Sequence, residues 1–261
     1  LFLAVEFDEP HGPYISPPPF RDRFSYEDIY RPPTLNDALE GKPRIQQEYA
    51  AFLRGDRQNE EDLARYYQYY YNCNSYVDYE IGRVIEAVRE YCPDDTIIIY
   101  TSDHGDMVGN HQLLGKTFMY EESSRVPLLL REPGQKDQKR ITGPVSQVDI
   151  VPTLLDLLGA DITEDIDGTS LRGTLEGEGA DKKDVFIEWN SPDGPLSKSN
   201  RPGFHEYRQA DAMGVSEEEL RQAARAPVRT IITSDGWKLN YSPLGEHELF
   251  NLNEDPGETC N

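Results

Sequence analysis

The feature that most constrains this chain is a short β-branched run, Thr96-Ile97-Ile98-Ile99-Tyr100-Thr101, which has no polar alternation and stops at Ser102-Asp103-His104-Gly105. A strand with one wet face alternates apolar and polar residues, so a run without alternation fits a central strand covered on both faces, as in parallel sheets. Upstream, residues 59–91 place Leu63, Tyr66, Tyr70, Val77, Ile81, Val84, Ile85 and Val88 mostly three or four apart. That spacing predicts one long helix, which Pro93 ends. Residues 1–7 read as an apolar strand, 126–131 as a second buried strand, and 147–158 as a helix closed by Gly159. Strands alternating with helices predict an α/β fold, with a mixed, largely parallel sheet flanked by helices.

The texture changes after about residue 180. Residues 185–189, 228–233, 237–241 and 248–252 read as short strands, with Ser234-Asp235-Gly236 turning a hairpin between two of them. The expected division is an α/β part at 1–184 and a small antiparallel subdomain at 185–261. Residues 191–226 form a polar excursion with a helix at 216–225, and Arg201, His205, Tyr207 and Arg208 are candidate substrate-facing residues there.

Charge removes several classes of function. A formal net charge of −22 leaves no clustered Lys/Arg track for nucleic-acid phosphates and disfavours anionic membranes. No apolar run approaches the roughly 18 residues that a membrane-spanning helix needs. Cys73, Cys92 and Cys260 form no C-x-x-C pair and are read as packing or incidental thiols. The chain opens on Leu1-Phe2-Leu3-Ala4-Val5-Glu6-Phe7 with no Met and no leader pattern, which is expected of a piece of a longer protein.

Chemistry concentrates at strand ends. Asp103 and His104 follow the β-branched run at its carboxyl end, where α/β sheets build ligand sites. A carboxylate and an imidazole side by side can aim at one cation; oxygen suits hard cations and imidazole suits transition metals, so the pair alone does not name the metal. A polar turn with a helix-capping Asp is the competing reading. Lys116 lies in a Gly-flanked loop where it could neutralise an anionic ester, or simply be a solvated lysine. His11 sits in a Pro/Gly-constrained loop past the first strand and His111 in the Gly109–Gly115 loop, each an anion contact or an ordinary loop residue.

Four blocks in order carry a resemblance to the sulfatase family of the alkaline phosphatase superfamily. They are Phe2-Leu3-Ala4-Val5-Glu6-Phe7-Asp8-Glu9-Pro10-His11-Gly12-Pro13-Tyr14; Tyr76-Val77-Asp78-Tyr79-Glu80-Ile81-Gly82-Arg83-Val84-Ile85; the stretch from Asp95 through Ser102-Asp103-His104-Gly105-Asp106 to Lys116 and Ser124-Arg125-Val126-Pro127-Leu128; and Glu248-Leu249-Phe250-Asn251-Leu252-Asn253-Glu254-Asp255-Pro256-Gly257-Glu258. The resemblance implies that Asp103 and His104 are metal ligands. It also implies that Lys116 and His11 are catalytic residues contacting the sulfate, with His111 a contributor to substrate binding and Asp106 a supporting or helix-capping position. The implied metal is divalent, Ca2+ first, with Mg2+ or Mn2+ as alternatives.

The same resemblance exposes what is missing. The family's nucleophile is a formylglycine made within a C/S-x-P/A-x-R motif, and no such motif occurs here; Cys73 is followed by Asn-Ser-Tyr and Cys92 by Pro-Asp-Asp. The family's first metal-ligand pair, Asp-Asp, is absent too, so both are expected upstream and the chain alone is expected to be inactive. Loss of neighbouring strands would expose sheet edges, through which self-association is expected. The implied substrate is a sulfate ester, of a sugar or another small molecule. Two rivals remain at this point: a phosphonate or phosphodiester hydrolase of the same superfamily, and a degenerate, non-catalytic binder of sulfated glycans, which the acidic charge disfavours.

Overall fold

The computed structural model describes residues 1–56, 60–161, 165–177, 183–190 and 210–261. Two compact units emerge. The first is built on Leu1–Glu40 and Gln46–Lys136; the second comprises Gly41–Ile45 and most of the chain after Lys136. The residues Arg201, His205, Tyr207 and Arg208 lie outside the described residues.

In the first unit, helices α1 (Pro18–Arg21), α2 (Arg44–Asp56, in this unit from Gln46) and α3 (Glu60–Tyr91) precede strand β1 (Ile98–Thr101), helix α4 (Glu121–Ser124) and strand β2 (Leu128–Arg131). The 32-residue α3 is the helix that the apolar spacing predicts. Its Tyr67 packs with Ile29, Leu35 and Val108, and Phe24, Tyr70 and Tyr71 close round that cluster. Two amides on α3 capture the preceding loop. Asn72 Oδ1 accepts from Phe24 N–H at 2.9 Å and Gln68 Nε2 donates to the Phe24 carbonyl at 3.0 Å, so the loop's backbone groups are satisfied without regular structure. Phe20 adds ring contacts to Tyr76 and Tyr79.

Two strand expectations need correction. Residues 1–7 form no strand, and Leu1, Phe2, Leu3, Val5 and Phe7 are all exposed. An extended segment becomes a strand only when a neighbour accepts its ladder bonds, and none does so among the described residues. Strands β1 and β2 pair antiparallel, Ile98 opposite Arg131 and Thr101 opposite Leu128, and neither is covered on both faces; Tyr100 and Leu129 are exposed. Parallel pairing needs a crossover that returns the chain to the starting edge, usually through a helix. Residues 102–127 carry no such helix. They hold only turns, a 3-10 turn at Asn110–Gln112 and the four-residue α4, too short for a crossover, and β2 returns antiparallel beside β1.

The second unit contains α5 (Ile150–Leu157) and α6 (Arg172–Glu176), then β3 (Val185–Trp189), α7 (Ala210–Met213), α8 (Glu217–Arg225), β4 (Val228–Ile232), β5 (Trp237–Tyr241) and β6 (Glu248–Asn251). The last three strands and β3 make an antiparallel sheet in the order β3-β4-β5-β6. Gly236, at φ 92°, supplies the left-handed turn between β4 and β5, and a Cβ there would strike the Asn253 side chain. Helix α8 starts with a capping box. Glu219 N–H donates to Ser216 Oγ at 3.2 Å, and the Glu219 carboxylate accepts from Ser216 N–H at 2.7 Å. It buries Leu220, Ala223 and Ala224, the i, i+3, i+4 stripe.

One face of this sheet is dry and charged. Thr230, Lys238, Asn240, Glu248 and Phe250 are all buried on it. Lys238 Nζ meets Glu258 Oε1 at 2.8 Å with both side chains at 1% exposure or less. Lys42 Nζ lies 4.1 Å from the centre of the Phe250 ring and 3.9 Å from Glu248 Oε1, and it also donates to the Glu258 carbonyl. The block Glu248 to Glu258 thus has a structural reason: two of its carboxylates, Glu248 and Glu258, compensate two buried ammonium groups. Burying Phe250 contributes about 2 kcal/mol of apolar stabilisation. The opposite face carries the aligned row Phe186, Ile231, Leu239 and Leu249, and Phe186 and Leu249 are exposed.

Candidate active site

The first unit brings four of the sequence-predicted residues together, His11, Asp103, His104 and Lys116, and leaves a fifth, His111, elsewhere. Asp103 and His104 leave β1 in a tight turn, where Asp103 Oδ1 accepts the His104 N–H at 3.0 Å and Ser102 Oγ donates to the His104 carbonyl at 2.9 Å. The next position must be glycine. Gly105 N–H donates to the Ser123 carbonyl at 2.8 Å, and a Cβ at Gly105 would fall 2.1 Å from the Glu122 carbonyl oxygen. That close approach brings the turn against the segment that follows Lys116.

Hydrogen bonding sets the tautomers of both histidines. His104 Nδ1 lies 2.8 Å from the Gly105 carbonyl and His11 Nδ1 lies 2.9 Å from the Gly12 carbonyl. A carbonyl only accepts, so each Nδ1 carries a proton and each neutral ring presents its Nε2 lone pair. Both lone pairs converge on one cation. Lys116 Nζ is 2.6 Å from His104 Nε2 and 3.3 Å from His11 Nε2, and the two rings stand 6.1 Å apart at 68°. Ser123 Oγ bonds the Lys116 carbonyl at 2.8 Å and holds the backbone beneath the ammonium.

Asp103 completes the rim. Its side chain is 85% exposed and Oδ2 lies 3.5 Å from His104 Nε2. Partial burial pushes its carboxyl upward, but the neighbouring His104, the His104 and Asp103 backbone N–H groups, and the Lys116 ammonium outweigh this and hold it below the usual carboxylate range. The chemistry of these donors answers the question of a divalent metal in part. One carboxylate and one imidazole nitrogen fit two corners of a site, and among the described residues no group of three or more His, Cys, Asp or Glu could enclose an ion. A cation on His104 Nε2 would also have to turn Lys116 Nζ away from that lone pair.

His111 does not join this cluster. Its ring is fully buried, stacked 3.9 Å from Tyr120 at 14°, with Nδ1 2.6 Å from Asp37 Oδ2. Tyr120 in turn donates to Gln46 at 2.6 Å. His111 therefore anchors the loop that carries Lys116. Asp106, expected to support the site or cap a helix, caps a loop: its Oδ1 accepts from Val108 N–H at 2.9 Å and Gly115 N–H at 3.1 Å. Tyr14, Asp37 and Tyr120 gave no signal of their own in the sequence. A buried His needs a partner, and Asp37 is separated from it by more than 70 positions, too far for any local pattern.

Comparison with known proteins points to one family. The sulfatase family model matches residues 1–160. Choline-sulfatase of Rhizobium meliloti (strain 1021) is 31% identical over 267 residues, covering 99% of this chain and 45% of its own. An uncharacterized sulfatase of Escherichia coli (strain K12), YidJ, is 30% identical over 267 residues, covering 100% of this chain and 46% of its own. Among solved structures, a phosphonate monoester hydrolase from Silicibacter pomeroyi superposes with a TM-score of 0.73 at 25% identity, over 97% of this chain and 49% of that one. The chain spans about half the length of each of these relatives. A family model that matches residues 1–160, more than half of the chain, joined to relatives aligned along the whole chain, makes this chain a member of the sulfatase family.

Proposed function

We propose that this chain is part of a longer, metal-dependent sulfatase and supplies the anion-binding side of its active site. The observation that carries the reading is the ammonium of Lys116, held between the lone pairs of His11 and His104 beside Asp103. A positive group fixed by two imidazoles is preorganised for the negative charge of a sulfate ester, and it costs little reorganisation when that charge builds on the leaving oxygen. Lys116 binds the ester's non-bridging oxygens. His11 Nε2 accepts from Lys116 and orients it, and the Lys116 ammonium, which holds the proton, would pass it to the leaving oxygen as the S–O bond breaks.

Asp103 and His104 would hold the divalent ion, Ca2+ by the resemblance, together with ligands from outside this chain, and Lys116 Nζ would then leave His104 Nε2 and keep its contact with His11 Nε2. Bound there, the ion supplies Lewis-acid polarisation of an ester oxygen. The nucleophile is assigned to a formylglycine hydrate contributed by sequence outside this chain. On this reading the 261-residue chain by itself turns over no sulfate ester. A sulfated sugar or a small sulfated molecule such as the substrate of the choline-sulfatase relative is the substrate class.

A second reading, phosphonate monoester hydrolysis, has support from the similar hydrolase of Silicibacter pomeroyi. One experiment addresses both. The full-length protein is assayed on an aryl sulfate and an aryl phosphonate monoester, with and without chelator. Faster sulfate turnover, a loss on chelation, and a Lys116→Ala drop in kcat of about 10²- to 10³-fold are expected. A Lys116→Ala variant within threefold of wild type on both esters would sink the assignment.

A further inference from the structure

We propose that Tyr14 and Asp106 are positioning residues: one carboxylate holds the three segments that carry His11, His104 and Lys116 in a single register. Asp106 Oδ2 accepts the Tyr14 hydroxyl at 2.9 Å, while its Oδ1 accepts Gly115 N–H at 3.1 Å and Val108 N–H at 2.9 Å. Tyr14 is three residues from His11, Asp106 is two from His104, and Gly115 adjoins Lys116. The carboxylate therefore joins segments that are remote in sequence but each within a turn of an active-site group.

The geometry on the Tyr14 side is built for this task. Its backbone takes the left-handed conformation, φ 55°, which an aromatic residue adopts only when its surroundings demand it. Its ring is buried and set edge-on to Tyr70 at 5.5 Å and Tyr66 at 6.3 Å, so the hydroxyl has one fixed direction. Burial, then the Asp106 charge, push the phenol far above its usual range, and it remains a donor at every working pH. A charge-assisted bond of this kind is stronger than a neutral one. It aims at no ligand, so its effect on the site passes through the placement of His11 and Lys116.

The activity test rests on the sulfatase reading; a structural test does not. In the full-length protein, Tyr14→Phe keeps the ring and removes only the bond. The expected result is a fall in kcat of about tenfold with KM nearly unchanged, because a displaced group costs rate more than ground-state binding. In a Lys116→Ala background the same substitution costs at least about threefold less in kcat than it does in the wild type, since one of the groups it positions is gone. Equal losses in both backgrounds, or none in the wild type, overturn the proposal. Should Tyr14→Phe melt more than about 5 °C lower, Asp106→Asn replaces it in the cycle and the same non-additivity decides.

If the wild type hydrolyses neither ester, the sulfatase reading falls and ring-nitrogen NMR decides the positioning role alone. Tyr14→Phe then shifts the ring 15N resonances of His11 and His104 and leaves those of His247 in place. Unshifted His11 and His104 resonances overturn it.

Discussion

Glu258→Gln isolates the energetics of the buried charges in the second unit. Lys238 Nζ and Glu258 Oε1 are 2.8 Å apart and both side chains are out of water, while Lys42 and Glu248 complete a balanced set of two cations and two anions. The amide has nearly the same volume, so the substitution leaves packing alone and strands one positive charge in a low-dielectric interior. Removing one member of a buried pair costs about 3 to 5 kcal/mol. At about 2 to 4 °C per kcal/mol for a protein of this size, Tm falls by roughly 6 to 20 °C. Lys238→Met/Glu258→Leu removes both charges and recovers most of that loss, because desolvation and attraction largely cancel in the intact pair. Thermal melts and urea titrations of the full-length protein measure all three. A single variant within about 0.5 kcal/mol of wild type, or a double variant as unstable as the single, would refute the assignment of this network as a compensated buried set.

Other outcomes follow from the same coordinates. Gly105→Ala places a Cβ against the Glu122 carbonyl, so it lowers Tm by several degrees and cuts sulfate-ester turnover by at least about tenfold; kinetics like the wild type's would contradict the contact. Asp255 is pushed upward by partial burial but pulled below the usual carboxylate range by the Cys260 and Thr259 N–H groups and the Thr259 hydroxyl. A depressed folded-state pKa gives stability that is present above about pH 4 and lost as pH falls through the lower folded value. Asp255→Asn therefore lowers Tm at pH 7, and the difference from wild type shrinks near pH 3; a constant difference would contradict it. His111→Ala leaves a cavity beside Tyr120 and removes the ring that meets Asp37 Oδ2, so it destabilises by about 2 kcal/mol or more in a denaturant titration.

What could be read in the sequence was local. Helix α3 was legible because its apolar stripe repeats within each turn, and the β4–β5 hairpin because Asp235-Gly236 is a turn signal flanked by strand residues. The grouping of His11, His104 and Lys116 was legible only through the four ordered blocks, since each residue alone is an ordinary polar loop position. The orientation of β2 was not, because short apolar runs look alike in parallel and antiparallel sheets and the connection decides. Residues 1–7 carry an apolar composition that predicts a strand, but ladder partners are not a property of the segment. The burial of Lys42 and Lys238 was not legible, because the carboxylates that allow it lie far along the chain at Glu248 and Glu258. Tyr14 and Asp106 fall in the same class: their pairing spans 92 positions.

The order of strands in the second unit has a kinetic consequence. Strands β4, β5 and β6 follow one another through short turns, whereas β3 pairs with β4 across the whole stretch from Trp189 to Val228. Loop closure costs about 0.6 kcal/mol for each doubling of length, so the longer closure adds roughly 2 kcal/mol to the entropy that β3 must overcome. Local contacts form fastest, and the three-stranded meander precedes the fourth strand during folding. The same asymmetry applies to opening: amide hydrogens of β3 exchange before those of β5, which has a strand on each side.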